Sequence, residues 1–279
     1  MMEEECNKAL NGATSEKARS PGRRAFALHS SSRSFRSADI IMPSTDEQRP
    51  SPATEMAGKL GFRILPTPPR LSGDIIARFK GAASANVADA MGRFNFMDPG
   101  IRSRSGFALC GPAVTVLCRP ADNLMLHKAL DVAQPGDVVV VNTVGNTTTA
   151  VFGDLMCRTA AAKKLGGIVV DGAIRDVEGI AALHFPAFSR AVTPGSCDKD
   201  GPGELNVPIA CGGTVVMPGD VIVGDDDGVT VVPRDHAEEV LRLLDELLDR
   251  ERRRVAEINQ GMLIRSDVDD LLRRKGVIA

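Results

Sequence analysis

The chain has 279 residues, 43% of them apolar, a formal net charge of −2 and neither Trp nor Tyr. Such a length and apolar content suffice to bury a proper core in one large domain or two small ones. The near-neutral balance supplies no field for general nucleic-acid binding, ten Phe leave few rings for stacking bases, and no apolar run reaches the roughly 18 residues of a membrane span.

Residues 1–60 are rich in Ser, Pro, Arg and Ala, with six basic and no acidic residues from Lys17 to Arg36. A disordered tail is expected. The other readings are an organelle transit peptide, for which Glu3, Glu4 and Glu5 are the wrong charge, and a start codon placed too far upstream of Met42 or Met56. Residues 61–279 form the folded domain.

Leu71 to Lys80 and Asn86 to Met91 have helical spacing, the first with Ser72 as a plausible cap. Ala108 to Cys118 reads as a strand and Asp122 to Leu130 as a helix. The turn Pro135-Gly136-Asp137 then launches Val138 to Val141, a continuous apolar run that suits a strand covered on both faces. After a Thr-rich loop, Asp154 to Leu165 is helical, Gly166-Gly167 stops it, and Ile168 to Val170 returns as a buried strand, giving a strand–helix–strand crossover. Thr214 to Met217, Val221 to Val223 and Val229 to Val232 are short hairpin-like strands separated by the turns Pro218 to Asp220 and Asp225 to Gly228. The consecutive acids of that last turn lack the alternating spacing of a calcium loop. The chain ends in a long helix, opening at Asp235 with Glu238 as a capping box and carrying Val240, Leu244, Leu247, Val255 and Ile258 on one stripe. Its charged face is solvated surface or reaches a neighbouring subunit.

The six cysteines contain no Cys-x-x-Cys pair, so neither a zinc ribbon nor a disulfide framework is indicated and a reducing cytoplasm fits best. His29, His127, His184 and His236 show no His-x-x-x-His spacing and read as surface or structural. Lys163 and Lys164, in the charged part of a helix, read as solvated.

Two segments carry candidate chemistry. Gly153-Asp154-Leu155-Met156 opens a helix whose first N–H groups are unpaired and can bind a carboxylate or phosphate; Asp154 alternatively caps that helix. Asp171-Gly172-Ala173-Ile174-Arg175-Asp176 follows the strand Ile168 to Val170, and both segments would share the carboxyl edge of the sheet where ligands bind. Arg175 can grip a carboxylate or keto oxygen through two N–H groups, and a lone Asp176 completed by water can hold Mg²⁺. A surface ion pair beside a turn is the other reading of that pair.

The run Gly153 to Met156 followed by Gly166-Gly167-Ile168-Val169-Val170-Asp171-Gly172-Ala173-Ile174-Arg175-Asp176 closely resembles the RraA-like family. The resemblance extends through Gly201-Pro202-Gly203-Glu204, Cys211-Gly212-Gly213, Pro218-Gly219-Asp220 and Asp225-Asp226-Asp227-Gly228 to Gly261, covering about residue 70 to the end. That family includes 4-hydroxy-4-methyl-2-oxoglutarate aldolase, with its oxaloacetate decarboxylase side activity, and the regulator of ribonuclease E. The resemblance implies an α/β fold, a compact layered sandwich related to the swivelling phosphohistidine domain, with sites between the subunits of a homotrimer or hexamer. It implies Mg²⁺ or Mn²⁺ on Asp176, a small 2-oxo acid gripped by Arg175, and Asp154 holding metal-bound water. Backbone N–H groups of Leu155 and Met156 would bind the substrate carboxylate, and Glu251 matches an acid contributed by the adjacent subunit. A non-catalytic regulator of ribonuclease E shares the fold, but members that only regulate can lack an acid after the arginine, and Asp176 is present. A methyltransferase is disfavoured because no Gly-x-Gly-x-Gly loop follows the first strand.

Overall fold

A computed structural model describes residues 58–265 and 267–279, so the tail expected over residues 1–60 falls almost wholly outside the described residues. The helices are α1 (Gly73–Phe79), α2 (Ser84–Ala90), α3 (Leu124–Val132), α4 (Asp154–Ala162), α5 (Val177–Ala182), α6 (Ala237–Asn259) and α7 (Asp267–Arg274). The strands are β1 (Arg102–Ser103), β2 (Leu109–Cys118), β3 (Val138–Asn142), β4 (Ala150–Phe152), β5 (Gly167–Ile174), β6 (Ala187–Val192), β7 (Gly203–Leu205), β8 (Ile209–Cys211), β9 (Thr214–Val216), β10 (Val221–Asp225) and β11 (Gly228–Val232).

The main sheet runs β1-β6-β5-β3-β2-β10-β11, with β4 added beside β5 and β7 beside β2. Its centre, β2, β3, β5 and β6, is parallel, whereas β10 and β11 close one flank antiparallel. Accumulated twist curls the sheet until its outer strands β1 and β11 touch, so the mixed α/β fold is nearly a barrel. Parallel strands need covering on both faces, which is why Val138 to Val141 are all fully buried. One face packs Val139 and Val170 against Leu126 of α3, Cys157 of α4 and Ile180 of α5. The inner face holds Val140, Phe188 and Ile222, and a third cluster seats Val240, Leu241 and Leu244 of α6 against Phe79 and Val221.

Most elements lie where the periodicity places them, and Ser72 caps α1 through the Ile75 N–H at 3.3 Å. Several details differ, among them a further helix, α7, after the long one expected to end the chain. The segment Asp171 to Ile174 continues β5 instead of forming a loop, because Asp171 spends its carboxylate inside the sheet, on Arg190 Nε at 2.6 Å and the Gly212 N–H at 2.7 Å. The Thr-rich connection ends in a further strand, β4. Among the hairpin-like strands, β10 and β11 do pair, but β9 turns away to pair β8 in a separate two-stranded sheet. The capping box of the last helix does not form: Asp235 sits in a 3-10 turn with its carboxylate on Arg234, and α6 begins at Ala237 with no side-chain cap.

The stripe of α6 also outruns the body that it packs against. Val240 and Leu244 are buried, but Val255 and Ile258 are 56% and 42% exposed. No helix of the described residues is long and apolar enough to cross a membrane.

Candidate active site

The site begins with a strand pairing. β4 lies parallel to the end of β5, Ala150 opposite Ala173 and Phe152 opposite Ile174. Both strands therefore release their next residues at one edge: Gly153 to Met156 as the start of α4, and Arg175-Asp176 as the link into α5. The Arg175 N–H donates to the Phe152 carbonyl at 2.9 Å and extends the pairing by one residue.

Asp176 then turns the chain sharply. Its backbone is left-handed, φ 57° and ψ 37°, a conformation that Asp tolerates better than most residues and that is held only where the surroundings enforce it. The turn swings the carboxylate back over α4, where Oδ2 accepts the Asp154 N–H at 3.1 Å and stands 3.5 Å from Arg175 Nε. Among the described residues Oδ1 accepts no hydrogen bond, and the side chain is about half exposed. Gly153 makes this approach possible through its lack of a side chain: its φ of −153° suits any residue, but a Cβ there would sit 2.6 Å from Asp176 Oδ2 and 3.1 Å from Arg175 Cγ.

Asp154 does not cap the helix. Gly153 is the N-cap, and Asp154, the first helical residue, folds outward onto Arg158 Nε at 2.9 Å, an i,i+4 pair. Its Oδ1 is buried beside Gly179 and has no partner among the described residues. A buried carboxylate oxygen left unpaired is costly, so it marks a place for a water or ligand. The N–H groups of Leu155 and Met156, in the first helical turn, have no intrahelical acceptor either.

Between these elements lies a cleft of about 140 Å³ lined by Gly153, Asp154, Leu155, Met156, Arg175 and Asp176. The residues that sequence pattern singled out on the two segments thus line one cleft, with the half-exposed Arg175-Asp176 pair at its rim. Glu251 is not on this wall; it lies on α6 and accepts from Asn86 Nδ2 at 2.8 Å. The wall residues not legible beforehand include Asn123, Lys199 and His127, the last read as surface or structural. Burial, with Lys199 adding to it, holds the His127 imidazole below its ordinary range, which keeps it neutral near pH 7. Lys199 is brought in by a clamp on its loop. Asp122, buried at the start of α3, accepts the N–H groups of Asp200 and Gly201 at 2.7 and 2.8 Å. Burial works against the Asp122 carboxylate, but these N–H groups and that of Leu124 outweigh it and keep its carboxyl below the usual range. Nothing local in Ser196 to Lys199 signals this; Lys163, expected to be solvated, donates instead to the Leu130 and Asp131 carbonyls at 2.6 Å.

The donors suit a hard divalent cation. Asp176 offers a free carboxylate oxygen at the rim and Asp154 an unpartnered one, while among the described residues no three His, Cys, Asp or Glu cluster into a closed cage. One or two carboxylates completed by water is how Mg²⁺ is commonly held.

Residues 84–231 match the family described as RraA-like, Aldolase/RraA. The chain belongs to the RraA-like family. Its Halalkalibacterium halodurans relative, provisionally named as a 4-hydroxy-4-methyl-2-oxoglutarate aldolase, is 38% identical over 201 residues, 71% of this chain and 96% of that one. The RraA-like fold recurs in an uncharacterised protein from Pseudomonas syringae pv. tomato, TM-score 0.63 and 28% identity over 69% of this chain and 92% of that one. It recurs too in a Streptomyces coelicolor protein titled an unusual member of the RNase ES inhibitor RraA protein family, TM-score 0.60 and 32% identity over 68% and 98%. Gly153, Asp154, Arg175 and Asp176 all lie inside the matched RraA-like segment.

Proposed function

We propose that this RraA-like chain is a divalent-metal-dependent pyruvate aldolase. It cleaves 4-hydroxy-4-methyl-2-oxoglutarate or a related 4-hydroxy-2-oxo acid to pyruvate and decarboxylates oxaloacetate at the same site. The observation that carries this reading is the placement of Arg175 and Asp176, side by side across one cleft from the unpaired N–H groups of α4. The names of the aldolase relatives support it.

Asp176, with Asp154 through water, would hold Mg²⁺ or Mn²⁺, which when bound polarises the keto group of the 2-oxo acid. The N–H groups of Leu155 and Met156 receive the substrate carboxylate at the positive end of the helix. Arg175 donates to the keto oxygen, and its fork holds that oxygen as negative charge builds on it. A water held by Asp154 accepts the C4 hydroxyl proton; the C4 oxygen becomes a carbonyl, and the C3–C4 electron pair passes into the pyruvate enolate. A proton returned to C3 completes pyruvate. Oxaloacetate losing CO₂ leaves the same enolate, so Arg175 serves both reactions.

The subunits assemble in the cytoplasm as a homotrimer or hexamer in which Glu251 reaches the cleft of its neighbour. The exposed end of the α6 stripe supports such packing. A second reading, a regulator of ribonuclease E without catalysis, draws on the Streptomyces coelicolor relative. The presence of Asp176 favours the enzyme.

Coupled detection of pyruvate from a panel of 4-hydroxy-2-oxo acids and oxaloacetate, with Mg²⁺ and with chelator, decides between them. Turnover that needs the metal supports the aldolase. Silence on the whole panel removes it.

A further inference from the structure

In the proposed reaction the cleft of about 140 Å³ would take the head of a 2-oxo acid, and the rest of a longer substrate would have to leave it. A second, larger cavity of about 400 Å³ shares three of its wall residues, His127, Leu155 and Met156. The two spaces are therefore neighbours across one short ridge on α3 and α4, and His127 stands at their junction.

The chemistry of this annex differs from that of the cleft. Its one lysine, Lys163, is spent on the Leu130 and Asp131 carbonyls at the end of α3, and the Asp131 carboxylate is taken by Lys128. The Thr159 hydroxyl is turned back onto the Leu155 carbonyl at 3.2 Å. The rest of the wall is the Leu155 side chain, the nearly buried Leu130 and Met156, Thr159 and the His127 ring. Leu155 is 80% exposed in the first turn of a helix, so the core does not account for a large apolar side chain there.

Resting on the aldolase reading, we propose that the annex takes the C4 substituent of the substrate, so that this chain prefers 4-hydroxy-2-oxo acids whose C4 carries an apolar group larger than methyl. Leu155 then serves both spaces, its N–H on the head and its side chain on the tail. Thr159 lies one turn further along the same face of α4, at i+4 from Leu155 and i+3 from Met156, and sets the depth of the annex.

The test measures kcat/KM for 4-hydroxy-4-methyl-2-oxoglutarate and for its analogue with butyl in place of methyl. It is run on the full chain, on Thr159→Phe and on the milder Thr159→Leu, with oxaloacetate decarboxylation as the reaction that does not reach the annex. Apolar pockets discriminate about tenfold or more per group of this size. The unaltered chain should favour the butyl compound by about that factor, and both variants should lose the preference while decarboxylation stays within about twofold. Equal or reversed preference in the unaltered chain overturns the inference, as does a parallel fall in decarboxylation. A change in sedimentation of the variants would show the annex to be a contact between copies and would overturn it as well. Pyruvate formed without this selectivity sinks the annex alone, whereas no pyruvate from any compound sinks the aldolase reading and the annex with it.

Discussion

Asp176 Oδ2 accepts the backbone N–H of Asp154 at 3.1 Å, across 22 positions of sequence. This bond ties the link after β5 to the first turn of α4, so the acid proposed to hold the metal and the N–H groups proposed to receive the substrate are placed by one contact. A helix N-terminus and a left-handed residue each fix the other.

Gly153→Ala tests that contact. The backbone at 153 is extended and strains no residue, so the fold should melt near the original temperature. The new Cβ, 2.6 Å from Asp176 Oδ2, must displace the carboxylate. A displacement of that kind is expected to lower kcat/KM by roughly 10²-fold. Wild-type turnover with an unchanged melt would show that the carboxylate position does not matter.

Asp176→Asn keeps the left-handed turn, which Asn tolerates, and removes the charge. At about 100 times its Kd, Mg²⁺ should raise the Tm of the unaltered chain by roughly 5–10 °C, by mass action on the folded state. The variant should show no such rise and no pyruvate formation. Differential scanning with and without the ion reads the first effect independently of activity, and an undiminished rise would place the ion elsewhere.

At Arg175, lysine preserves the charge and abolishes the planar fork. Loss of one charge-stabilising donor lowers kcat by about 10²–10³-fold, and Arg175→Lys should fall in that range while substrate still binds. Steady-state kinetics on oxaloacetate give the answer without a synthetic substrate.

Glu204 gives a pH signature away from the site. Its carboxylate takes the Arg63 guanidinium at 2.6 and 2.8 Å and the Gly61 N–H at 2.8 Å, holding residues 61–63 to β7. Arg63 is the main cause that its carboxyl lies below the usual range; burial opposes, and the Gly61 N–H helps. A depressed folded value means stability fully present above the unfolded carboxyl value of about 4.3 and lost as pH falls through the lower, folded one. Glu204→Gln should therefore melt several degrees lower at pH 7 and converge with the original chain in strong acid. Parallel melting curves at all pH values would contradict this.

Val255 and Ile258, both well exposed, continue the stripe that Val240 and Leu244 bury. If this end of α6 packs on a neighbour, Val255→Glu with Ile258→Glu should convert a trimer or hexamer to monomer in sedimentation velocity. It should also depress activity, since Glu251 would then miss the adjacent cleft.

Local pattern determined much of this protein. The run Val138 to Val141 suited a strand covered on both faces, and the 3.6-residue stripes located α3, α4 and α6, because burial of one face imposes its period on the chain. The order Gly153-Asp154 and Arg175-Asp176 was legible through the resemblance to the RraA-like family, since spacing alone left a helix cap and a surface ion pair open. What local pattern could not supply were choices made by partners distant in sequence. Asp154 was open between cap and ligand, and only the fold rules out the cap, with Gly153 as N-cap and the Asp154 carboxylate on Arg158. Asp171 looked like part of a loop until Arg190 and Gly212 claimed it for β5. Lys199 joined the site only because Asp122, more than 70 residues away, holds the Asp200 and Gly201 N–H groups. Side-chain periodicity is a one-dimensional consequence of which face is buried, whereas a cavity wall is set by which loops meet, and only the folded chain decides that.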